Sequence, residues 1–302
     1  FIQYAMQIFF AFIMLSMMFI MLPRASVSAG RIADVLETEP SIVDPKNPKR
    51  SAPSAKGIVE FRGVSFRYQG SSEDVLKDIS FTAEPGKTTA IIGTTGAGKT
   101  TLVSLLPRFH DVTQGAVLVD GVDVRELAQA ELRSRIGFVP QKASLFSGTV
   151  KSNLLWADET ADNDRLAAAL DAAQAKEFVD AFPQGMEAPI AQGGANVSGG
   201  QRQRLTIARA LVKKAPIYVF DDSFSALDYR TDMKLRQALS TYLKDSAVIM
   251  VTQRVATIKR ANQIIVLDEG AMVGKGTHRE LMESCEVYRD IALSQLKEEE
   301  LA

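Results

Sequence analysis

Four residues of the sequence have the types and spacing of a phosphate-binding loop. Gly93, Gly98, Lys99 and Thr100 fit the pattern G-x-x-x-x-G-K-[ST]. In such a loop the glycines let backbone N–H groups close around phosphate oxygens, the lysine supplies a point charge, and the threonine hydroxyl reaches Mg²⁺. The alternative is a plain glycine-rich turn, which the full match between a predicted strand and a predicted helix disfavours. The predicted phosphate cradle consists of Gly93, Thr94, Thr95, Gly96, Ala97, Gly98, Lys99, Thr100 and Thr101.

A pair of carboxylates follows a second apolar run, IYVFDD at Ile217–Asp222. The four apolar residues predict a buried strand that delivers Asp221 to the edge of a sheet, where Mg²⁺ binds in sites for phosphoryl transfer. An apolar run that ends in Asp is a common pattern, so this signal is weak alone. Together with the phosphate-loop pattern it indicates a site for Mg²⁺ and a nucleoside triphosphate.

A third stretch, VSGGQRQRLTIARAL at Val197–Leu211, contains the start of another helix. Ser198 is a good N-cap residue, and Gly199 and Gly200 leave the N–H groups of the first turn open to an anion. The chain therefore carries two elements that can bind phosphate.

A sheet and its helices must position these residues. The apolar run before Gly93 predicts a buried strand, and Leu102, Leu105 and Leu106 have helical spacing after it. Further strands are predicted at Ile58–Tyr68, Ser80–Ala83, Ala116–Val119, Arg135–Val139, Ile217–Asp221, Ala247–Val251 and Gln263–Leu267. Helical segments alternate with most of them. This alternation favours a largely parallel sheet covered by helices, with ligands at the carboxyl ends of its strands.

Between Gln141 and Ser198 the pattern changes to helices alone, notably at Asp162–Ala173. We interpret residues 142–197 as an inserted helical subdomain. Trp156 lies in this region, and we predict that it packs inside the subdomain because large aromatic side chains are mostly buried.

The overall composition limits the classes of function. The chain has 302 residues with 35 basic and 36 acidic side chains, a net charge of -1, which argues against a general nucleic-acid partner. Arg202 and Arg204 are interpreted as surface charges. The lone cysteine, Cys285, excludes an internal disulfide, and we interpret it as a buried thiol in a reducing compartment. His110 and His278 are too far apart in the sequence to predict a metal site.

The first 22 residues are apolar enough to predict a membrane helix. Phe1–Leu22 contains no charged residue and would span about 33 Å as a helix, which crosses a bilayer. It lacks the basic start and the small-residue cleavage site of a signal peptide. We expect the end of a longer membrane domain, and a fully buried soluble helix is the alternative. Arg24 and Arg31 predict that the chain after the helix is cytoplasmic.

A linker is predicted between this helix and the rest of the chain. Small and apolar residues allow the helix to continue to Leu36, with a kink at Pro23. A stiff, extended linker follows, with prolines at Pro40, Pro45, Pro48 and Pro53. The predicted division is a membrane helix at 1–22, a helix extension and linker at 23–56, and a nucleotide-binding domain from Gly57 to residue 302. An acidic, solvated end is predicted at Glu298–Glu300.

The ordered set of motifs resembles the ATP-binding cassette (ABC) family, whose signature is LSGGQ. The signature here reads VSGGQ, with Ser198, Gly199, Gly200 and Gln201. The resemblance implies that Tyr68 stacks on adenine, that Gln141 contacts Mg²⁺ together with Thr100 and Asp221, and that SALD at Ser225–Asp228 follows the metal-binding Asp. It implies an α/β P-loop NTPase (RecA-like) fold, whose parallel sheet has an antiparallel β part and an inserted helical subdomain, with ATP and Mg²⁺ bound.

A membrane helix ahead of the cassette resembles the exporter branch of this family. There a six-helix membrane domain and its cassette share one polypeptide, and two cassettes dimerise head to tail around ATP. The implied partners are a second exporter half, the chain's own further membrane helices, membrane lipid, and a transported drug, lipid or peptide. The implied location is the cytoplasmic membrane, with the cassette in the cytoplasm. Ala191–Asn196 matches a loop that touches the membrane domain in this family.

Two positions depart from the family pattern. Asp222 stands where the family has the Glu that orients the attacking water, and Gln253 stands where it has His. Asp is shorter by about 1 Å, and a misplacement of that size costs about 10²-fold in rate. Gln cannot take a positive charge, so it stabilises developing negative charge less well. Gln141 and Lys99 complete the predicted catalytic set.

These departures predict slow hydrolysis at the chain's own ATP site. We hypothesise an asymmetric heterodimer, in which Ser198–Gln201 complete the faster site on the partner. Three alternatives remain open: a homodimeric exporter with two weakly hydrolysing sites, a regulatory subunit that binds ATP without hydrolysing it, and a soluble cassette for DNA repair or translation. The last would need basic surfaces and has no use for Phe1–Leu22.

Overall fold

The computed structural model describes residues 1–50 and 56–295. The chain divides into two compact units, Phe1–Val43 and Asp44–Ala302. Two features predicted from the sequence, Pro53 and the acidic end at Glu298–Glu300, lie outside the described residues.

The first unit is dominated by one helix, α1 (Ile2–Leu36), which continues through Pro23. None of its residues is buried in the chain. By length and composition it is long and apolar enough to cross a membrane. The predicted apolar helix and its extension are therefore a single continuous element.

The second unit begins before the predicted boundary at Gly57. Asp44 accepts a hydrogen bond from the backbone N–H of Gln129 at 2.9 Å. Lys49 forms an ion pair with Glu126 at 2.9 Å. These contacts join Asp44 and Lys49 to the second unit.

Strands and helices alternate through the second unit. The strands are β1 (Val59–Phe66), β2 (Leu76–Ala83), β3 (Thr88–Gly93), β4 (Gln114–Val119), β5 (Val122–Asp123), β6 (Ile136–Val139), β7 (Gly148–Thr149), β8 (Pro189–Ile190), β9 (Ile217–Asp221), β10 (Ala247–Val251), β11 (Gln263–Asp268) and β12 (Ala271–Gly276). The helices are α2 (Lys99–Leu105), α3 (Gln129–Ser134), α4 (Val150–Leu155), α5 (Asn163–Ala172), α6 (Lys176–Asp180), α7 (Gly199–Val212), α8 (Tyr229–Tyr242), α9 (Val255–Ile258), α10 (His278–Ser284) and α11 (Glu286–Leu293).

Across the described residues, ten strands form one sheet in the order β5-β4-β1-β2-β12-β11-β3-β10-β9-β6. Strands β11, β3, β10, β9 and β6 run parallel to one another. Strands β5, β4, β1 and β2 are antiparallel. The predicted fold class, a parallel sheet with an antiparallel part and an inserted helical subdomain, is confirmed.

The register of the parallel strands gathers their carboxyl ends at one edge. Val251 at the end of β10 lies opposite Asp221 at the end of β9 and opposite Ile91 of β3. The strands are fully buried apolar runs, as expected for parallel strands covered on both faces. The loops that carry the predicted phosphate, metal and catalytic residues therefore leave the sheet side by side.

The inserted subdomain contains α4, α5 and α6, which share a hydrophobic core with α7. Asp162 caps α5 by accepting a hydrogen bond from the backbone N–H of Arg165 at 2.8 Å. The prediction of helices alone is wrong here, because β7 and β8 form a two-stranded sheet that pairs Gly148 with Ile190. Two-residue strands are too short to show an alternating pattern in the sequence.

Candidate functional site

Lys99 lies over the loop between β3 and α2. Its Nζ donates hydrogen bonds to the carbonyl oxygens of Gly93 at 2.9 Å and Thr94 at 2.7 Å. The side chain is only 8% exposed. Burial lowers the pKa of Lys99, and the carboxylates of Asp222 and Asp221 oppose that shift. A buried cation held only by carbonyl oxygens is suited to bind the phosphate oxygens of a ligand.

The loop requires glycine at two positions of the phosphate-loop pattern, Gly93 and Gly98. Gly98 has φ +90°, and an added Cβ would lie 2.7 Å from Cδ2 of Leu76. At Gly93 an added Cβ would lie 2.0 Å from the carbonyl oxygen of Leu267. By contrast, an added Cβ at Gly96 would meet open space. The loop is thus wedged against β2 and β11 at its ends and open in its middle, where a ligand fits.

The first turn of α2 is also open to a ligand bound in this loop. Its N-cap residue is Gly98, which provides no side-chain hydrogen bond to the helix. The backbone N–H groups at the start of a helix carry a partial positive charge and need acceptors. Phosphate oxygens satisfy that need, so the predicted cradle fits a phosphate group in both shape and charge.

Thr100 and Asp221 meet where the first turn of α2 faces the last residue of β9. The Thr100 hydroxyl donates a hydrogen bond to Oδ1 of Asp221 at 3.1 Å. Burial raises the pKa of Asp221, as does the charge of Asp222, whereas the Thr100 hydroxyl and Lys99 lower it. A hydroxyl and a carboxylate are the oxygen ligands that Mg²⁺ takes from proteins, and a cation beside Asp221 would offset the cost of burying its charge.

Asp222 and Gln141 lie beside this pair. Nε2 of Gln141 is 3.4 Å from Oδ2 of Asp222. Burial raises the pKa of Asp222, and the interactions with Gln141, Lys99 and Arg254 act against that rise. Asp222 has φ +44°, a left-handed conformation that Asp tolerates better than most residues. The structure therefore brings together a carboxylate, an amide and the ammonium group of Lys99.

Tyr68 lies on the antiparallel side of the same site. Its hydroxyl is 3.0 Å from the hydroxyl of Thr101, in the first turn of α2. Its ring makes edge contacts with Phe66 and His110, at centroid distances of 4.8 and 5.3 Å. The side chain is 41% exposed, which leaves ring surface free to stack on a flat ligand.

Gln253 lies in the loop that follows β10, next to β3 in the sheet. Its side chain is exposed. The neighbouring Arg254 donates a hydrogen bond to the carbonyl oxygen of Ser225 at 3.0 Å. This contact links the loop of Gln253 to the loop that follows Asp222.

Ser198 and Gln201 form a reciprocal capping box at the start of α7. Oγ of Ser198 accepts a hydrogen bond from the backbone N–H of Gln201 at 3.2 Å, and Oε1 of Gln201 accepts one from the N–H of Ser198 at 2.9 Å. These bonds join the two residues to each other and not to the phosphate loop. Gly200 lies below the loop after Asp222, since an added Cβ would be 3.6 Å from the carbonyl oxygen of Ala226.

Residues 76–225 match the family model described as ABC transporter. The chain contains an ABC transporter ATP-binding domain. It is 49% identical over 298 residues to an uncharacterized ABC transporter ATP-binding protein of Mycobacterium bovis, an alignment that covers 98% of this chain and 51% of the relative. It is 39% identical over 249 residues to the ATP-dependent lipid A-core flippase of Coxiella burnetii, covering 82% of this chain and 42% of the flippase.

A solved structure shares the architecture of the chain. It is the structure of a bacterial Atm1-family ABC exporter with ATP bound, with a TM-score of 0.86 and 31% sequence identity. The match covers 94% of this chain and 50% of that chain. The chain thus spans about half the length of the curated relatives that it matches.

Three predictions about the surface of the ATP-binding domain are wrong. Trp156 is 66% exposed and stacks on Phe146 at a centroid distance of 4.6 Å, because α4 ends there at the surface. Arg204 is half-buried: it donates a hydrogen bond to the carbonyl oxygen of Gln174 at 2.7 Å, and burial lowers its pKa. Arg202 is also half-buried, and it donates a hydrogen bond to the carbonyl oxygen of Gly193 at 3.0 Å.

The remaining single residues have local partners. Cys285 is buried, as predicted. His278 is buried, and its Nδ1 lies 2.7 Å from the hydroxyl of Tyr288. The loop Ala191–Asn196 is closed by Asn196, whose Oδ1 accepts a hydrogen bond from the N–H of Ala191 at 2.8 Å.

Sequence reasoning missed an aromatic groove of about 330 Å³ near the loop that follows Gln141. Phe109, Phe146 and Trp156 are exposed along it. Arg209 of α7 lies beside the ring of Phe146 and donates a hydrogen bond to the carbonyl oxygen of Ser144 at 2.9 Å. The three aromatic residues are spread over 48 positions of the chain, so no local sequence pattern marks the groove.

Proposed function

We propose that the chain is the ATP-binding and ATP-hydrolysing part of an ABC exporter that moves a drug, lipid or peptide across the cytoplasmic membrane. The observation that carries this proposal is the meeting of Lys99, the Thr100–Asp221 pair and the Gln141–Asp222 pair at one edge of the sheet. The names of the relatives, which include a lipid flippase and an exporter, support export as the direction. In this proposal α1 belongs to a multi-pass membrane domain and the ATP-binding domain is cytoplasmic.

Each part of the site has a role in binding MgATP. Tyr68 stacks on the base, and the loop from Gly93 to Thr101 holds the phosphates with Lys99. Thr100, Gln141 and Asp221 hold Mg²⁺, which when bound would neutralise charge on the phosphate oxygens. Asp222 orients the attacking water and accepts its proton, and the Gln253 amide contacts the γ-phosphate.

The chain's own site is proposed to be slow. The carboxylate of Asp222 is carried on a side chain one methylene shorter than Glu, and Gln253 adds no positive charge near the γ-phosphate. The groups that bind ATP are present, so this site is expected to bind ATP well and to hydrolyse it slowly. Selective loss of chemistry in this form supports the asymmetric type of exporter, with a different chain as partner.

The start of α7 is proposed to serve the partner's ATP. The capping box of Ser198 and Gln201 is complete within the chain and is not bonded to its own phosphate loop. An added Cβ at Gly199 would meet no atom within 4 Å, so this side of the turn is open to a phosphate. Ser198, Gly199, Gly200 and Gln201 then close the second site from across a head-to-tail dimer.

The membrane domain is proposed to dock on two surfaces, the aromatic groove and the loop Ala191–Asn196. Exposed Phe146 and Trp156 present apolar surface at the groove, which is typical of a protein contact. Arg209 connects this surface to the loop of Gln141 through Ser144. A movement of the membrane domain against this surface would thus shift the loop of Gln141 through the contact of Arg209 with Ser144.

The proposal is tested by restoring the two altered residues in the full-length protein, purified with any partner chain that accompanies it from native membrane. The double change Asp222→Glu and Gln253→His is expected to raise single-turnover ATP hydrolysis at this chain's site by about 10²-fold. The matched control adds Lys99→Met in the same chain, which should abolish the gain. Two sites that hydrolyse ATP equally fast before any change would contradict the asymmetric assignment, and absence of a second kind of chain would favour the homodimer.

A further inference from the structure

The side chain of Gln295, just beyond the end of α11, bridges both sides of the loop that carries Gln253. Its Nε2 donates a hydrogen bond to the carbonyl oxygen of Gln253 at 2.7 Å. Its Oε1 accepts a hydrogen bond from the backbone N–H of Val255 at 2.9 Å. One carboxamide therefore uses its donor and its acceptor on main-chain groups two residues apart, as a neighbouring peptide unit would.

The loop is held on its other side by Arg254, whose N–H donates a hydrogen bond to Oγ1 of Thr252 at 3.0 Å and whose side chain bonds to Ser225. Arg254, the N-cap residue of α9, provides no side-chain hydrogen bond to that helix. The N–H of Val255 is the first in α9 and needs a partner from outside the helix. Gln295 supplies that partner from 40 residues away in the sequence, and so acts as the cap that Arg254 does not provide.

Gln295 is exposed, and it follows a helix that is packed against the strand leading into the phosphate loop. Tyr288 and Ala292 of α11 are fully buried in a cluster with Val255 of α9 and with Ala90 and Ile92 of β3. Strand β3 leads directly into the phosphate loop. Helix α11 is therefore anchored to the strand that holds the phosphates, and its end holds the loop that contacts the γ-phosphate.

We propose that Gln295 is a positioning residue for ATP hydrolysis, which holds the main chain of Gln253 so that its amide reaches the γ-phosphate. This inference rests on the proposed function, because it takes Gln253 as the γ-phosphate contact. Gln295 does not touch ATP; it acts through the carbonyl group of Gln253 and the N–H of Val255. Its loss lets the loop drift and lowers the rate of the chemical step more than the affinity for ATP.

The experiment uses single-turnover kinetics of the full-length protein with its partner. Gln295→Leu removes both hydrogen bonds and is expected to lower the slow phase of hydrolysis, which is assigned to this chain's own site, about tenfold, with the ATP concentration for half-saturation changed by less than about twofold. The control is Leu293→Ala at the exposed end of the same helix, which should leave both quantities unchanged. An unchanged rate in Gln295→Leu overturns the inference.

A second variant separates positioning from general loss of stability. Gln295→Glu keeps the size and the acceptor of the side chain, but its ionised form cannot donate to the carbonyl oxygen of Gln253. The ionised form predominates at neutral pH, because an ordinary Glu has a pKa of about 4.3. This variant is therefore expected to be as slow as Gln295→Leu with an unchanged melting temperature, and a rate equal to that of the unaltered protein overturns the inference.

Gln253→Ala separates the inference from the proposed function. If Gln253→Ala leaves hydrolysis unchanged, the γ-phosphate role in the proposed function fails. If Gln253→Ala is slow while both Gln295 variants behave as the unaltered protein, only the positioning role fails. In the Gln253→Ala background, Gln295→Leu is expected to slow hydrolysis further by less than about twofold, because both changes remove the same contact with the γ-phosphate.

Discussion

The two glycine-rich helix starts of this ATP-binding domain differ in how their first turns are satisfied. Helix α2 begins after Gly98, has no side-chain cap, and has Lys99 folded back over carbonyl groups. Helix α7 begins after Ser198 and is closed by the reciprocal bonds of Ser198 and Gln201. Both starts are rich in glycine, yet only the first is left open within its own chain.

This difference separates a phosphate site that is formed within one chain from one that needs a second chain. At α2 the open N–H groups and the buried ammonium group of Lys99 gain partners only when phosphate arrives, so binding is favoured within one chain. At α7 the capping box already satisfies the turn, and a phosphate must exchange for those bonds or add to them. In the proposed dimer, such a turn would contribute to binding only when a second chain brings ATP to it.

The largest expected effect comes from breaking the α2 side of this comparison. Lys99→Met removes the ammonium group while preserving most of the side-chain volume. We expect ATP hydrolysis at this chain's own site to fall by about 10³-fold, because a buried charge that meets the phosphates is lost. The slow phase of single-turnover hydrolysis by the assembled protein, which is assigned to this site, measures the effect. Lys87→Met, at an exposed lysine paired with Glu84, is the matched control, and an equal loss there would refute a specific role for Lys99.

The next largest effect is expected from a change at the start of α7. Ser198→Asp keeps a good N-cap and so preserves the stability of α7, but it adds a negative charge where the partner's phosphate would bind. We expect ATP hydrolysis by the dimer to fall by about 10²-fold with an unchanged melting temperature. Ser198→Ala should instead cost about 1 kcal/mol of stability and reduce hydrolysis less. Full activity of Ser198→Asp would show that this turn does not meet phosphate.

The smallest effect concerns pH at the catalytic edge. Burial raises the pKa of both Asp221 and Asp222, and the charge of Asp222 further raises the pKa of Asp221. Protonation of these groups as the pH falls should slow hydrolysis, starting at a higher pH than for ordinary carboxylates. Asp222→Asn removes one charge together with the proposed proton acceptor, so the coupling is measured without hydrolysis. In an NMR titration of the nucleotide-free protein the carboxyl group of Asp221 should titrate at lower pH in this variant, by under about one unit. An unchanged titration of Asp221 would exclude this coupling.

Sequence patterns predicted the parallel strands best. The observed bounds of β9 and β10, Ile217–Asp221 and Ala247–Val251, are the predicted ones, because an uninterrupted apolar run fits only a strand buried on both faces. Strand β2 was predicted from Ser80 but begins at Leu76, where Asp78 at φ +47° interrupts the regular alternation. Strand β12 was not predicted, since Gly274 and Gly276 weaken its pattern.

The site was predicted unevenly for a similar reason. The phosphate loop is local, so the spacing from Gly93 to Thr100 marks it in the sequence. The contact of Gln295 with Gln253 joins residues 42 positions apart and follows no period, so only the fold reveals it. The exposure of Trp156 likewise depends on where α4 ends relative to Phe146, which composition does not determine.

Strands β2 and β12 share a single register pair in the described chain, Ala271 with Lys77, where the antiparallel strands adjoin the parallel ones. Tyr68 follows β1 on one side of this seam, and the phosphate loop follows β3 on the other. A nucleotide held by its base at Tyr68 and by its phosphates at Lys99 would therefore contact both halves of the sheet. Once the nucleotide left, the protein's own contacts across this seam, such as that of the Tyr68 hydroxyl with Thr101, would join the halves without that added link.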